Sequence, residues 1–180
     1  MVESAAHVEH VFAADELFFS TTDSHGRIRR ANSTFMRLSG YPRGALVGRA
    51  HNVVRHADMP AGLFRSIWDA IEEGRAASAY ITNRSSDDGH YRVFATIVPS
   101  GSGYLSVRTL PMLTDLRDDI EAAYARVRDV EEASAAAGST RREVAAAGQA
   151  ARAGAAEVEA EVLVELGHGD VDRDRGALAV

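Results

Sequence analysis

Residues 51–60 read HNVVRHADMP and place two histidines, an arginine, an asparagine and an aspartate among apolar residues. Short helical signals surround this stretch, so we expect it to be helical and half buried. Burying cations and imidazoles costs several kcal/mol each unless a polar group receives them. A bound cofactor or an internal ion-pair network is the usual recipient, which makes this stretch the first candidate for a functional site.

Composition limits the classes of function. The chain has 180 residues, enough for one globular core of roughly 100 residues and an extension. Cysteine is absent, which excludes disulfides, thiolate metal sites, catalytic thiols and cysteinyl-flavin photochemistry. Residues 1–110 hold 12 arginines and 11 acids, and residues 111–180 hold 8 arginines and 15 acids. Neither part is basic enough to predict nucleic-acid binding.

We expect a cytoplasmic protein. No apolar run approaches the ~20 residues of a transmembrane helix, and the N-terminus lacks a basic start and an apolar signal core. The sequence therefore predicts neither a membrane span nor a signal peptide.

Outward from residues 51–60, the chain predicts the element order β-β-α-α-α-β-β-β. Aromatic and β-branched residues predict strands, Asn32 or Ser33 can cap a short helix, and Pro42 opens another short turn. A stripe of apolar residues after Pro60 predicts an amphipathic helix ending at Gly74. This order predicts an α+β fold, with a five-stranded antiparallel sheet and short helices on one face. The predicted strands span residues 17–23, 27–30, 78–83, 90–98 and 104–109.

The other face of the sheet needs a cover. A short helix over residues 4–16 is the candidate for this cover, and it is also a candidate dimer contact. We therefore treat residues 1–16 as an N-terminal cap and residues 17–111 as the sensor-like core.

From residue 113 the chain becomes rich in Ala, Glu, Asp and Arg, and apolar residues step alternately by three and four, which is typical of a coiled-coil seam. Gly138 is a helix-stop signal, and Thr140 with Glu143 has capping-box spacing. One continuous rod and an antiparallel hairpin folded at Gly138 are both open, and we favour two helices. We assign residues 112–166 to a helical signalling or dimerisation segment and residues 167–180 to a disordered tail. The seam comprises Leu113, Leu116, Ile120, Ala123, Val127, Val130, Ser134 and Ala137, and it resumes at Ala151, Ala155, Val158, Val162 and Glu165.

Several motifs together resemble a PAS domain, specifically the flavin-binding PAS domains of the aerotaxis-receptor type. The resemblance covers about residues 17–111. Its motifs are FFSTTD (18–23), AN-x-x-F (31–35), SGY (39–41), HNVVRHADMP (51–60), Trp68, TNR (82–84) and SVRT (106–109).

The resemblance implies a non-covalently bound FAD between the sheet and the short helices, with flavin redox state reporting oxygen or electron supply. By position, it implies that Asn83 lies beside the pyrimidine edge of the ring and that Trp68 packs near the ring system. Arg55, His56 and Asp58 would line the mouth of the cleft, with Asn52 and His51 as further candidates. An amide suits the flavin edge, and an arginine fork suits a pyrophosphate.

Two alternatives use the same fold. His51 or His56 is a candidate axial ligand for haem b in a gas sensor. A cofactor-free dimerisation module is suggested by Ala76 and Ala77, which stand where the family usually has a second tryptophan, and by the exchange of aromatic and basic residues at Arg92 and Phe94.

No nucleophile–base–acid set or phosphate loop has a recognisable spacing, so we do not expect an enzyme. We expect a homodimer formed through the N-terminal cap and the C-terminal helices, and a chemotaxis or other signalling partner.

Overall fold

The computed structural model describes residues 8–112 and 117–153. Five antiparallel strands form one sheet in the spatial order β2-β1-β5-β4-β3. The predicted strands are confirmed, each with bounds close to those expected. The strands are β1 (Phe18–Asp23), β2 (Ile28–Ala31), β3 (Ala77–Arg84), β4 (His90–Ser100) and β5 (Gly103–Thr109).

Short helices connect β2 to β3 and cover one face of the sheet, as predicted. The Asn32 side chain caps the first of them by accepting a hydrogen bond from the backbone N–H of Phe35 at 3.2 Å. The third carries the expected apolar stripe, with Leu63, Ile67 and Ile71 buried. These helices are α1 (Ser33–Ser39), α2 (Arg43–Leu46) and α3 (Ala61–Glu72).

Only part of residues 51–60 is helical, so our expectation for this stretch was too broad. A single 3-10 turn spans His51–Val54, and residues 55–60 run irregularly to the start of α3. Pro60 explains this break, because proline disfavours helical geometry in the residue that precedes it. The stretch therefore directs its side chains in several directions instead of along one helical face.

The N-terminal segment differs from our expectation of a capping helix over residues 4–16. Residues 8–16 contain no helix, and Glu9 instead pairs with His90 as an isolated parallel bridge; residues 4–7 lie outside the described residues. The Phe12 ring is buried against Phe18, with the two ring centroids 5.5 Å apart. The segment is thus attached to the domain through strand-type pairing and one buried aromatic ring.

The C-terminal region forms the favoured hairpin and not a rod. Helix α4 spans Arg117–Ala136 and helix α5 spans Arg141–Ala153. Between them Gly138 has φ of 84°, and the N–H groups of Gly138 and Ser139 bond back to the carbonyls of Ala135 and Ser134. This is a Schellman ending, which glycine accommodates without steric cost.

The predicted capping box begins α5. The Thr140 N–H donates to the Glu143 carboxylate at 2.8 Å, and the Glu143 N–H donates back to the Thr140 hydroxyl at 3.4 Å.

Residues of the predicted coiled-coil seam pack inside the chain itself, whereas we expected them to form a signalling or dimer contact. Ile120, Ala123 and Val127 are buried within the chain itself, whereas Val130 is 40% exposed. Leu113 and Leu116, and the seam positions from Ala155 onward, lie outside the described residues. In the part of the chain that the structure describes, no helix is long and apolar enough to cross a membrane.

Candidate cofactor site

Polar side chains converge on the face of the sheet that the short helices cover. Strand alternation brings them there, because residues that pair directly across neighbouring strands point to the same face. Asn83 pairs with Tyr91, and Ser20 pairs with Ser106. Five polar residues on this inner face are buried: Ser20, Asn83, Tyr91, Ser106 and Arg108.

Arg108, Ser20 and His51 form one hydrogen-bonded cluster. The Arg108 guanidinium contacts the Ser20 Oγ at 3.1 Å and the His51 Nε2 at 2.8 Å, and Ser20 Oγ lies 3.0 Å from the same Nε2. Arginine can only donate hydrogen bonds, so Nε2 accepts and the His51 ring is neutral with its proton on Nδ1. The 3-10 turn thereby joins the central strands at the base of the cleft.

Burial sets the charge states of this cluster. Burial, followed by the nearby charge of Arg108, lowers the pKa of His51 from 6.5 to about 3. Burial also lowers the pKa of Arg108 from 12.5 to about 10, which leaves the guanidinium charged at neutral pH. The cluster therefore carries one positive charge, buried between the sheet and the 3-10 turn.

Three buried polar atoms on the same face have no hydrogen-bond partner within the described chain: the amide Nδ2 of Asn83, the hydroxyl of Tyr91 and the Oγ of Ser106. Leaving a buried donor or acceptor unsatisfied costs about 1–3 kcal/mol. Such groups, gathered with a buried cation, suit a ligand that has hydrogen-bonding edges and an apolar body. These three atoms are distributed along the inner faces of β3, β4 and β5.

Trp68 lies at the other end of this face. It projects from α3 onto Tyr104 of β5 in an edge-to-face contact, with the ring centroids 5.5 Å apart. Trp68 is half buried, so part of its side-chain surface makes no internal packing contact. Trp68 therefore lies between α3 and the sheet, and its predicted contact with a cofactor ring stays a prediction.

Arg55 lies beside Asn83, with which it forms an isolated antiparallel bridge. The Arg55 guanidinium donates to the carbonyl of Met59 at 2.6 Å and lies 4.4 Å from the centroid of the Phe64 ring. Burial lowers the pKa of Arg55. The structure therefore brings Arg55 and Asn83 together at one edge of the sheet.

The other predicted residues lie farther out. His56 Nδ1 lies 3.6 Å from the Asp58 carboxylate, with side chains 25% and 75% exposed respectively. Asn52 is exposed. These three occupy the surface of the loop and are not part of the buried cluster around Arg108.

The sequence reasoning missed Arg108, Ser20, Tyr91 and Ser106. A signal was present, since SVRT places Ser106 and Arg108 two residues apart on one strand face, and FFS places Phe18 and Ser20 likewise. An arginine on the same strand face as the core residues indicates a buried positive charge. The departure at Arg92 and Phe94 lies on the opposite face, opposite Thr82 and Tyr80, and so leaves the cleft unchanged.

The C-terminal hairpin contacts the loop that leads into α3. Glu131 of α4 accepts hydrogen bonds from the N–H groups of Ala61 and Gly62 at 2.9 and 2.7 Å. Arg128 donates to the Asp58 carbonyl at 2.9 Å. Helix α4 is therefore hydrogen-bonded both to this loop and to the first turn of α3.

Comparison with known proteins identifies a relative by sequence. The chain is 41% identical over 102 residues to the aerotaxis receptor of Escherichia coli, covering 54% of this chain and 20% of the receptor. It therefore spans about a fifth of the length of that relative. No family model matches the chain.

A solved structure, that of the Aureochrome1 LOV domain, shows the same fold. The light-state LOV domain of the blue-light photoreceptor Aureochrome1 aligns with a TM-score of 0.50 at 16% identity, over 60% of this chain and 89% of that one. A LOV protein of Rhodobacter sphaeroides aligns with a TM-score of 0.48 at 20% identity, over 82% of this chain and 88% of that one.

Proposed function

Because the chain carries a PAS domain of the aerotaxis-receptor type, we propose that it is a redox-sensing module that holds FAD non-covalently between the sheet and the short helices. The observation that supports FAD most directly is the set of buried polar groups on the inner face. Asn83 Nδ2, Tyr91 OH and Ser106 Oγ have no partner in the described chain, and Arg108 adds a buried positive charge.

The inner-face residues would hold the ring system. Asn83 offers an amide donor, Tyr91 and Ser106 offer hydroxyls, and Trp68 offers an aromatic wall. Arg55, next to Asn83, would bind the ribityl–phosphate part, with the partly buried His56 and the exposed Asp58 and Asn52 as weaker contributors. When bound, FAD supplies reversible electron transfer at its isoalloxazine ring.

In this proposal His51 acts differently from our first expectation. Its Nε2 accepts from Arg108, so its role is to position the guanidinium. The same hydrogen bond argues against haem, because a nitrogen engaged by a cation is a poor ligand for iron. His56 remains as the haem alternative, and a Soret band in the purified protein would select it.

The relay to the output follows from the contacts of α4. Asn83 lies beside Arg55, and Arg55 donates to Met59, two residues before the α3 N-terminus that Glu131 caps. A rearrangement of Asn83 would therefore reach α4 through a short chain of hydrogen bonds, and it would bias how the hairpin packs. We propose a cytoplasmic setting, a homodimer and a chemotaxis-type signalling partner for this output.

The test is the absorption spectrum of the full chain after refolding with FAD, together with a fluorescence titration. We expect flavin absorption that comigrates with the protein on gel filtration. Asn83→Ala should weaken FAD binding about tenfold, the equivalent of one hydrogen bond of ~1.4 kcal/mol. The exposed Arg30→Ala on β2, outside the proposed site, is the control and should bind within twofold of the native chain.

A chain that stays colourless with excess FAD, and shows no Soret band with haem, would support the cofactor-free dimerisation module instead.

A further inference from the structure

Arg108 is a buried cation without an acidic partner among the residues that the structure describes. Its residue is 5% exposed, and its guanidinium carbon lies 5.2 Å from the centroid of Phe35 and 5.6 Å from that of Phe18. Its hydrogen bonds within the described chain go to Ser20 and His51, both neutral groups. Among the described residues, no carboxylate lies within ion-pair distance of it.

This arrangement is unfavourable for stability. Removing a charged group from water costs several kcal/mol, which an opposite charge in good geometry normally offsets. A guanidinium has five N–H donors, and the hydrogen bonds of Arg108 seen within the described chain go to two acceptors, Ser20 Oγ and His51 Nε2. Aromatic faces at these distances add only ~1–2 kcal/mol. A buried arginine of this kind suits a site whose counterpart arrives with a ligand.

We propose that Arg108 is the charge-recognition residue of the cleft and binds the carbonyl edge of the cofactor ring, while Ser20 and His51 are positioning residues that hold its guanidinium. The inference rests on the proposed function and names the ligand chemistry at its buried end. The ligand class is a planar heterocycle with an electron-rich or negatively charged carbonyl edge. The ring edge, and not a phosphate, is favoured because Arg108 lies deep among aromatic rings where a strongly hydrated phosphate would be costly to bury.

The alternative is a purely structural role, in which the contacts with Phe18, Phe35, Ser20 and His51 stabilise the fold. The two readings predict opposite signs for stability. Replacing an unpaired buried charge with an apolar side chain of similar size is stabilising, whereas removing a net-favourable network is destabilising. Ligand-free stability and ligand affinity must therefore be measured on the same variants.

The experiment compares the native full chain with Arg108→Met, Arg108→Lys and the exposed control Arg30→Met on β2. Each is unfolded, freed of flavin and refolded, and its Tm is measured without ligand. FAD and riboflavin are then titrated separately. For Arg108→Met we expect a higher ligand-free Tm and affinities for both flavins at least tenfold weaker, by the same factor. Arg108→Lys should bind both flavins more weakly than the native chain, and Arg30→Met should change neither quantity.

The outcomes separate the two proposals. If the native chain binds FAD but Arg108→Met binds it within twofold, or loses affinity for FAD and not riboflavin, the Arg108 proposal is wrong and the proposed function stands. Failure of Arg108→Met to fold, or a lower ligand-free Tm, would assign Arg108 a structural role and also overturn it. If the native chain binds neither flavin, the proposed function falls, and a raised Tm in Arg108→Met would still support a ligand-binding arginine.

Discussion

Two histidines that look alike in HNVVRHADMP differ completely in environment. His51 lies on the first turn of the stretch and is enclosed between Phe35, Ser20 and Arg108, whereas His56 lies on the loop surface beside Asp58. The 3-10 turn ends between them, so they do not share a face. Burial keeps the His51 ring neutral, which gives it a specific signature in stability measurements.

We predict that folding stability falls below pH 6.5 because of His51. The unfolded chain takes up a proton near the ordinary pKa of 6.5, whereas the folded chain resists protonation until about 3. The stabilisation from neutral His51 is therefore fully present above pH 6.5 and is lost as the pH falls towards 3, with a slope of at most ~1.4 kcal/mol per pH unit. Urea unfolding at pH 7, 6, 5 and 4 measures it.

His51→Gln should flatten this decline, since the glutamine carbonyl can still accept from Arg108 without titrating. His25→Gln, in the exposed β1–β2 turn, is the control and should keep the native slope. Equal pH slopes for the native chain and His51→Gln would show that the imidazole is not held neutral.

At the scale of elements, α3 begins without a cap from its own neighbours. Its N-cap is Pro60, which has no side chain able to cap, and no acidic residue lies in its first turn. The Glu131 carboxylate of α4 replaces both, accepting from two free N–H groups where the helix dipole favours negative charge. Glu131 of α4 thus caps α3 in place of a residue that is adjacent in sequence.

We therefore predict that Glu131→Ala lowers the free energy of unfolding by about 1–2 kcal/mol, the usual cost of losing an N-cap. Glu132→Ala changes the same charge on the exposed neighbour and should cost less than ~0.5 kcal/mol. Chemical denaturation gives both values. If the two variants are equally stable, the Glu131 contact does not stabilise the docked hairpin.

The crossing of α3 and α5 depends on a close backbone approach. A Cβ at Gly62 would overlap the backbone of Gly148 and Gln149. Around this point Gln149 bonds to Arg65 at 2.8 Å and to Asp69 at 2.7 Å. The glycine lets the helices come close enough for these polar contacts to form.

Gly62→Ala should consequently separate α5 from α3, and amide hydrogen exchange in residues 141–153 should become at least tenfold faster. Gly44→Ala is the control, because a Cβ at Gly44 of α2 meets no atom within 4 Å. Unchanged protection of α5 in Gly62→Ala would mean that the two helices tolerate a wider spacing.

At the scale of the whole molecule, the hairpin and the N-terminal segment are joined to the outer face of the sheet by charges. Arg92 of β4 pairs with Glu9 at 2.6 Å and with Glu121 of α4 at 3.5 Å, and Arg117 pairs with Glu121 at 3.1 Å. These side chains are partly exposed, so each pair contributes little by itself. Their effect is to hold three separate parts of the chain in one arrangement.

If the cleft holds FAD, ligand binding must stabilise this whole arrangement. At a free FAD concentration 100 times the Kd, the free energy of unfolding should rise by ~2.7 kcal/mol. A thermal or urea unfolding series at increasing FAD measures the rise, and Asn83→Ala should shift the series to higher FAD concentration. A midpoint that does not respond to FAD would contradict binding to the folded state.

Much of the fold could be predicted because local signals agreed with each other. Strand alternation, Asn32 as a cap and Pro60 before α3 each specify one element, and all were confirmed. The capping-box spacing of Thr140 and Glu143 likewise predicted the start of α5.

The rest depended on long-range contacts. The three- and four-residue steps around Ile120 and Val127 are the same whether a helix packs on a second copy or on its own chain, so the seam could not predict its partner. The Arg108 cluster joins residues 88 positions apart in the chain, from Ser20 to Arg108, and no local pattern records that meeting. Val8, Val11 and Phe12 have helical spacing, but the segment pairs with His90 of β4 instead, a long-range contact that the spacing does not record.

The unpaired edge of β3 affects the tendency of the protein to aggregate. Strand β3 ends the sheet, but its Tyr80 carbonyl accepts from Tyr124 at 3.0 Å, its Thr82 N–H meets the sulfur of Met59 at 3.3 Å, and Arg55 pairs with Asn83. The opposite end, β2, is four residues long and presents two arginines to solvent. The edge strands β2 and β3 are therefore poorly suited to pair with a strand of another molecule, which protects the chain against edge-to-edge aggregation.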